Sequence, residues 1–157
     1  MKNLALSAPR ILLVDDSKDG LLVRRTLLEE VGYSVQIALN GEEGLKLFKT
    51  GKFDLVVTDY QMPRMNGLQL IASIREASPA MAVILVSGFV EPLGLNEANT
   101  GADAVIAKSA TEPSHLLRAV KRLLNRAAKG RGAAGRPPRK PPGSQKSPAV
   151  RARAVGE

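Results

Sequence analysis

Five short runs of β-branched and aliphatic residues recur along the first 127 residues of this chain, and stretches with apolar residues at helical spacing separate them. The runs are Ile11 to Asp15, Ser34 to Leu39, Leu55 to Asp59, Ala82 to Ser87 and Ala104 to Lys108. Strands as continuously apolar as ILLV, LVV and VILV need cover on both faces, which parallel strands obtain from right-handed helical crossovers. The alternation predicts an α/β fold, an open doubly wound parallel sheet of five strands with helices on both faces.

The crossover helices show their inner faces as Leu21, Leu28 and Val31, then Leu45 and Phe48, then Leu70, Ile71 and Ile74. Asn40 followed by Glu43 is a start signal for the second helix, and Pro113 suits the first turn of the last. That last helix presents Leu116, Leu117, Val120, Leu123 and Leu124. The fourth crossover, Glu91 to Thr100, is interrupted by Pro92, Gly94 and two asparagines, so only a short helix is expected there.

Composition narrows the chemistry. At 157 residues and 44% apolar content the chain is expected to build one core. With no cysteine and only His115 there is no thiolate or histidine cluster, so any metal must be held by oxygen. The longest apolar run, Met81 to Val86, is too short to span a bilayer, and the start MKNLALSAPR lacks a secretory core, so a cytoplasmic location is expected. The net charge of +8 is concentrated at one end: from residue 128 onward eight basic residues face one acid, a net +7. That segment has five Gly, five Pro and no aromatic, Leu or Ile. The division expected is a folded domain over 1–127 and a disordered basic tail over 128–157.

Asp15 and Asp16 close the first run and Asp59 closes the third. In a flavodoxin-like sheet of order 2-1-3-4-5 the first and third strands are neighbours, and a ligand crevice opens at their carboxyl ends. Three crowded carboxylates repel one another unless a divalent cation neutralises them, and Mg2+ suits carboxylates, waters and phosphate oxygens. An aspartate carboxylate is also a nucleophile that needs no base, and its acyl phosphate is reactive enough to be transient.

The motifs LLVDDS (Leu12 to Ser17), DYQMPRMNG (Asp59 to Gly67), VSG (Val86 to Gly88) and IAK ending at Lys108 resemble, in order and spacing, those of bacterial response-regulator receiver domains, over about residues 9 to 127. The resemblance implies a stand-alone, chemotaxis-regulator-like switch in a two-component phosphorelay. By it, Asp59 is the phosphoacceptor, Asp16 a direct Mg2+ ligand, Asp15 a ligand mainly through water, and Gln61 a ligand through its backbone carbonyl. Ser87 and Lys108 contact the phosphoryl oxygens. The phosphodonor is a sensor histidine kinase or a histidine phosphotransfer protein, and the output is protein–protein interaction. On this reading the chain is not an enzyme, although it assists its own phosphorylation and dephosphorylation.

Three positions depart from that pattern. Ser109 stands where receivers usually have proline, so a trans Lys108–Ser109 bond is expected. Val105 takes a place usually aromatic. Phe89, two residues beyond Ser87, is bulky enough to shield an acyl phosphate from water. Two other functions compete with this reading. No DNA-binding output domain fits after Ala127, but the tail has the charge to grip nucleic-acid phosphates without stacking on bases. A phosphatase of the haloacid-dehalogenase type requires Asp-x-Asp after the first strand, where this chain has Asp15-Asp16-Ser17. His115 reads as a surface residue, and Gly67 and Gly88 as residues serving backbone geometry.

Overall fold

In a computed structural model that describes residues 8–132, the chain folds as five strands and six helices. They follow the order β1 (Arg10–Val14), α1 (Lys18–Val31), β2 (Ser34–Ala38), α2 (Gly41–Thr50), β3 (Leu55–Asp59), α3 (Gly67–Ala77), β4 (Ala82–Ser87), α4 (Val90–Leu93), α5 (Glu97–Thr100), β5 (Ala104–Ala107) and α6 (Glu112–Gly132). Every strand pair is parallel, as the pattern predicts, and the sheet order is β2-β1-β3-β4-β5, the order expected of a flavodoxin-like sheet. No helix among the described residues is long and apolar enough to cross a membrane.

Successive strand residues face opposite sides, so the sheet divides the interior into two cores. Ile11, Leu13, Val57, Ile84 and Val86 pack against Leu21 and Leu28 of α1 and Leu116, Val120 and Leu123 of α6. Leu12, Val14, Val56, Val83 and Leu85 pack against Leu70, Ile71 and Ile74 of α3, with Leu45 and Phe48 of α2 alongside. β3 and β4 are buried at every position, which accounts for their unbroken apolar runs.

Side chains that satisfy free N–H groups fix the helix starts. Ser17 Oγ accepts from Gly20 N at 3.1 Å at the head of α1. Asn40 Oδ1 accepts from Glu43 N at 2.7 Å, and Glu43 reaches back one residue further than a standard capping box, to Leu39 N at 2.8 Å. Asn66 and Gln69 form the reciprocal pair at the head of α3.

Some expectations need correction. β1 is shifted one residue toward the N-terminus, and β2 and β5 stop one residue early, so Asp15 and Lys108 stand just beyond their strands. Val31 is exposed at the last position of α1, because Gly32 caps the helix in a left-handed conformation immediately after it. The fourth crossover forms two single-turn helices, broken by Gly94 at a φ of 62°. The domain boundary drawn at Ala127 falls inside α6, which continues to Gly132. Ala127, Ala128 and Lys129 are good helix formers, and a glycine costs a helix only about 1 kcal/mol relative to alanine. The rest of the proposed tail lies outside the described residues.

One glycine sets the approach of α3 to β3. A Cβ on Gly67 would stand 2.3 Å from the Asp59 carbonyl oxygen and 2.9 Å from Leu85 Cδ1, and Gly67 N donates to the Tyr60 carbonyl at 2.7 Å. Gly88 differs, having open space around it and no positive φ, so the geometric role expected for it is not found. Gly67→Ala is predicted to destabilise the domain by about 1–3 kcal/mol, since the clash is with backbone and core atoms that have nowhere to retreat. Urea-unfolding midpoints of mutant and wild type check this.

Candidate functional site

Parallel strands all leave the sheet at the same edge, so residues far apart in sequence meet at their carboxyl ends. Asp15 and Asp16 follow β1, Asp59 ends β3, Ser87 ends β4 and Lys108 follows β5. These five residues and Gln61 line one open cleft of about 540 Å³, together with Ser17, Met62, Pro63, Gly88 and Phe89. Every candidate site residue read from the sequence is therefore brought to the same place. One carboxylate oxygen from each of Asp15, Asp16 and Asp59 lies within 4.8 Å of the other two. Asp15 and Asp59 are buried, whereas Asp16 is exposed at the cleft mouth.

Asp59 Oδ1 is 2.7 Å from Lys108 Nζ, yet it makes no well-directed hydrogen bond with any described residue. The contact is an ion pair that leaves lone-pair directions of this buried oxygen free. Burial pushes the Asp59 carboxyl above the ordinary aspartate range, with the negative charge of Asp15 adding to the rise and Lys108 and Arg24 opposing it. Ser87 is buried, and its Oγ accepts from Phe89 N at 2.8 Å, which keeps its O–H available as a donor. The Lys108 N–H donates to the Ser87 carbonyl at 3.0 Å, tying the exits of β4 and β5 together. The Phe89 ring lines the same cleft, 6.2 Å from the Tyr60 ring.

Arg24 is a site residue that the sequence reading missed. It is 7% exposed and donates to Asp15 Oδ2 and to Glu112 Oε2, each at 2.7 Å. Desolvation disfavours its charge, but the hydrogen bonds to Glu112 and Asp15 outweigh that and raise its pKa further. The readable signal was its position: Leu21, Arg24 and Leu28 follow the i, i+3, i+7 spacing of a buried stripe.

The departures from the receiver pattern are also visible. No cis peptide bond occurs among the described residues, consistent with the trans bond expected before Ser109. Val105 is half-buried and packs on the core beneath α3, Phe89 stands in the cleft wall, and His115 is exposed.

The donor set consists of oxygens, Asp59 Oδ1 is buried against the Lys108 ammonium, and the Ser87 hydroxyl lines the same cleft. A hard divalent cation fits such a cluster, and an oxyanion next to it would find the ammonium and hydroxyl as partners.

Residues 11–121 match the family model described as the response regulator receiver domain. A CheY-like response regulator receiver domain protein from Methanospirillum hungatei JF-1 is 35% identical, with 78% of this chain and 98% of that chain covered and a TM-score of 0.72. The response regulator TrrA of Thermotoga maritima, solved in complex with Mg(2+)-BeF, is 34% identical over 73% of this chain and 98% of its own, with a TM-score of 0.66. The aerobic respiration control sensor protein ArcB of Escherichia coli is 32% identical over 117 residues, which are 71% of this chain but only 15% of that protein's length.

The buried charge on Asp59 has a stability cost with a definite pH dependence. A native pKa above the unfolded value means that the folded state holds the proton more tightly, so stability falls as pH rises through that window and the cost is complete above it. In magnesium-free buffer, Asp59→Asn is predicted to unfold later than wild type at neutral pH, by about 1 kcal/mol. The advantage should shrink as pH is lowered through the native pKa toward the ordinary aspartate value. Urea midpoints of both proteins across that range provide the check.

Proposed function

Because this chain belongs to the response-regulator receiver family, we propose that it is a two-component phosphorylation switch in which Asp59 accepts the phosphoryl group. The observation that carries the assignment is Asp59 itself, a buried carboxylate with an oxygen free of directed hydrogen bonds, beside Lys108 and within the cluster formed with Asp15 and Asp16.

Asp16, Asp59 and the Gln61 carbonyl would hold Mg2+ directly, with Asp15 acting mainly through water. The fit rests on the three clustered carboxylates and on the buried Asp59 Oδ1, which has an ion pair but no directed hydrogen bond. When bound, the cation neutralises carboxylate charge and lowers the electrostatic barrier to an approaching phosphate. A carboxylate oxygen of Asp59 attacks phosphorus, forming an O–P bond as the bond to the donor's histidine nitrogen breaks. The phosphoryl group adds roughly −1.5 to −2 of charge, and Lys108 and Ser87 lie close enough to answer it.

Lys108 leaves the Asp59 oxygen for a phosphoryl oxygen, and the Ser87 O–H donates to another. Their backbones are joined at 3.0 Å, so the two movements draw the loops after β4 and β5 together. α4 begins three residues after Ser87, has no side-chain cap and buries none of its residues. That segment is the surface whose conformation the phosphoryl group biases, and a partner protein reads it. The donor is a histidine kinase or a histidine phosphotransfer protein, and the chain acts as a signalling phosphoacceptor.

Incubating the full chain with Mg2+ and a small acyl phosphate is predicted to give one acid-stable, base-labile phosphoryl adduct by intact mass, and Asp59→Ala to give none. Undiminished labile phosphate on Asp59→Ala would overturn the assignment. Phe89 forms a wall of the cleft and contacts Tyr60, so it limits the approach of water to Asp59. Phe89→Glu is predicted to shorten the phosphate lifetime several-fold, measured as loss of the adduct after the donor is removed.

A further inference from the structure

We infer that Arg24 is a built-in counter-cation that occupies Asp15 and sets the affinity of the acidic cluster for its divalent metal, with Glu112 moderating its strength. The inference rests on the metal-site reading above and concerns residues that this reading does not use.

Both oxygens of Asp15 are engaged within the chain. Oδ1 accepts from Ser17 N at 2.9 Å and Oδ2 accepts from Arg24 Nη1 at 2.7 Å. A divalent cation drawing on Asp15 must therefore share its charge with a guanidinium. Arg24 cannot escape this by losing its proton, because guanidinium stays charged in proteins. It is also held from behind, where Glu112 at the start of α6 accepts from its Nε at 2.7 Å and from Nη2 at 3.4 Å.

The local structure accommodates the reach. Side chains on a helix lean toward its N-terminus, so Arg24 lies back over the first turn of α1. The residue one turn earlier is Gly20, where an added Cβ would stand 3.0 Å from Asp15 Oδ2 and 3.3 Å from Arg24 Nη1. A glycine inside a helix costs about 1 kcal/mol relative to alanine, and this one leaves the space in which Arg24 meets Asp15.

Charge decides the direction of each effect. Lys108 on Asp59 and Arg24 on Asp15 supply two positive charges to three carboxylates. A divalent cation entering the cluster meets this monovalent charge, and removing it strengthens metal binding by of order tenfold even with water-like screening. Glu112 offsets part of the Arg24 charge. Neutralising Glu112 leaves Arg24 as a stronger competitor and weakens metal binding.

The test is calorimetric titration of the full chain with MgCl2 at mildly alkaline pH, where the carboxylates are ionised, for wild type, Arg24→Leu and Glu112→Gln. Arg24→Leu is expected to tighten binding by about tenfold, and Glu112→Gln to weaken it several-fold. A merely structural role for the triad would move both variants the same way or neither. Normal Mg2+ binding by wild type with either variant within twofold of it, or with both shifted in one direction, overturns the inference and leaves the metal site standing. Should Arg24→Leu fail to fold, Glu112→Gln decides alone, because it keeps Arg24 and Asp15 in place. Absence of Mg2+ binding by wild type overturns the metal site and the inference together.

Discussion

Mutual repulsion of carboxylates at one edge of a sheet is the constraint around which this domain is organised. Asp15 and Asp59 are buried, and together with Asp16 they present oxygens within 4.8 Å of one another. Such a cluster is unfavourable unless cations are brought to it, and the fold brings two from separate places, Arg24 from the face of α1 and Lys108 from the end of β5. Neither closes the site. Lys108 contacts an Asp59 oxygen that stays free of directed hydrogen bonds, and Asp16 remains at the exposed mouth. The folded chain thus tolerates its own acidic cluster without satisfying it, a condition that suits a divalent cation.

That arrangement depends on backbone positions more than on individual side-chain contacts. β1, β3, β4 and β5 end at the same edge because all the strands are parallel, and the two helical layers hold the sheet from both sides. The link between layer and site is closest at Gly67, where the head of α3 comes against the Asp59 carbonyl. Packing of α3 and position of Asp59 are therefore a single geometric fact, and the side of α3 that fills the core also fixes the height of that carboxylate.

Much of this was legible in the sequence, for identifiable reasons. β1, β3 and β4 are buried on nearly every residue, so their apolar runs are unbroken and hard to read as anything else. Residues at or near strand ends inherit that clarity, which is why Asp15, Asp16, Asp59, Gln61, Ser87 and Lys108, read together from the sequence, line one cleft. Arg24 was not, because an arginine near an apolar stripe ordinarily extends its charge into water. Its place on the stripe of Leu21 and Leu28 points inward, but the acid that makes burial tolerable, Glu112, comes from α6, 88 positions away. The end of α6 was misplaced for the opposite reason. Apolar periodicity fades after Leu124, but backbone helicity needs no apolar stripe and continues through the alanines.

That continuation gives α6 a second character. It is a 21-residue helix, about 31 Å long at 1.5 Å per residue, and its buried anchors Leu116, Val120 and Leu123 all lie in its first twelve positions. The remainder is a shaft whose axis is set by the sheet. A shaft fixed at one end transmits angle as well as position: each residue inserted or deleted between Leu124 and Gly132 would turn the end of the helix by about 100° and shift it by about 1.5 Å. The phase of α6 thus gives its far end, at Gly132, a defined bearing relative to the cleft that Asp59 lines.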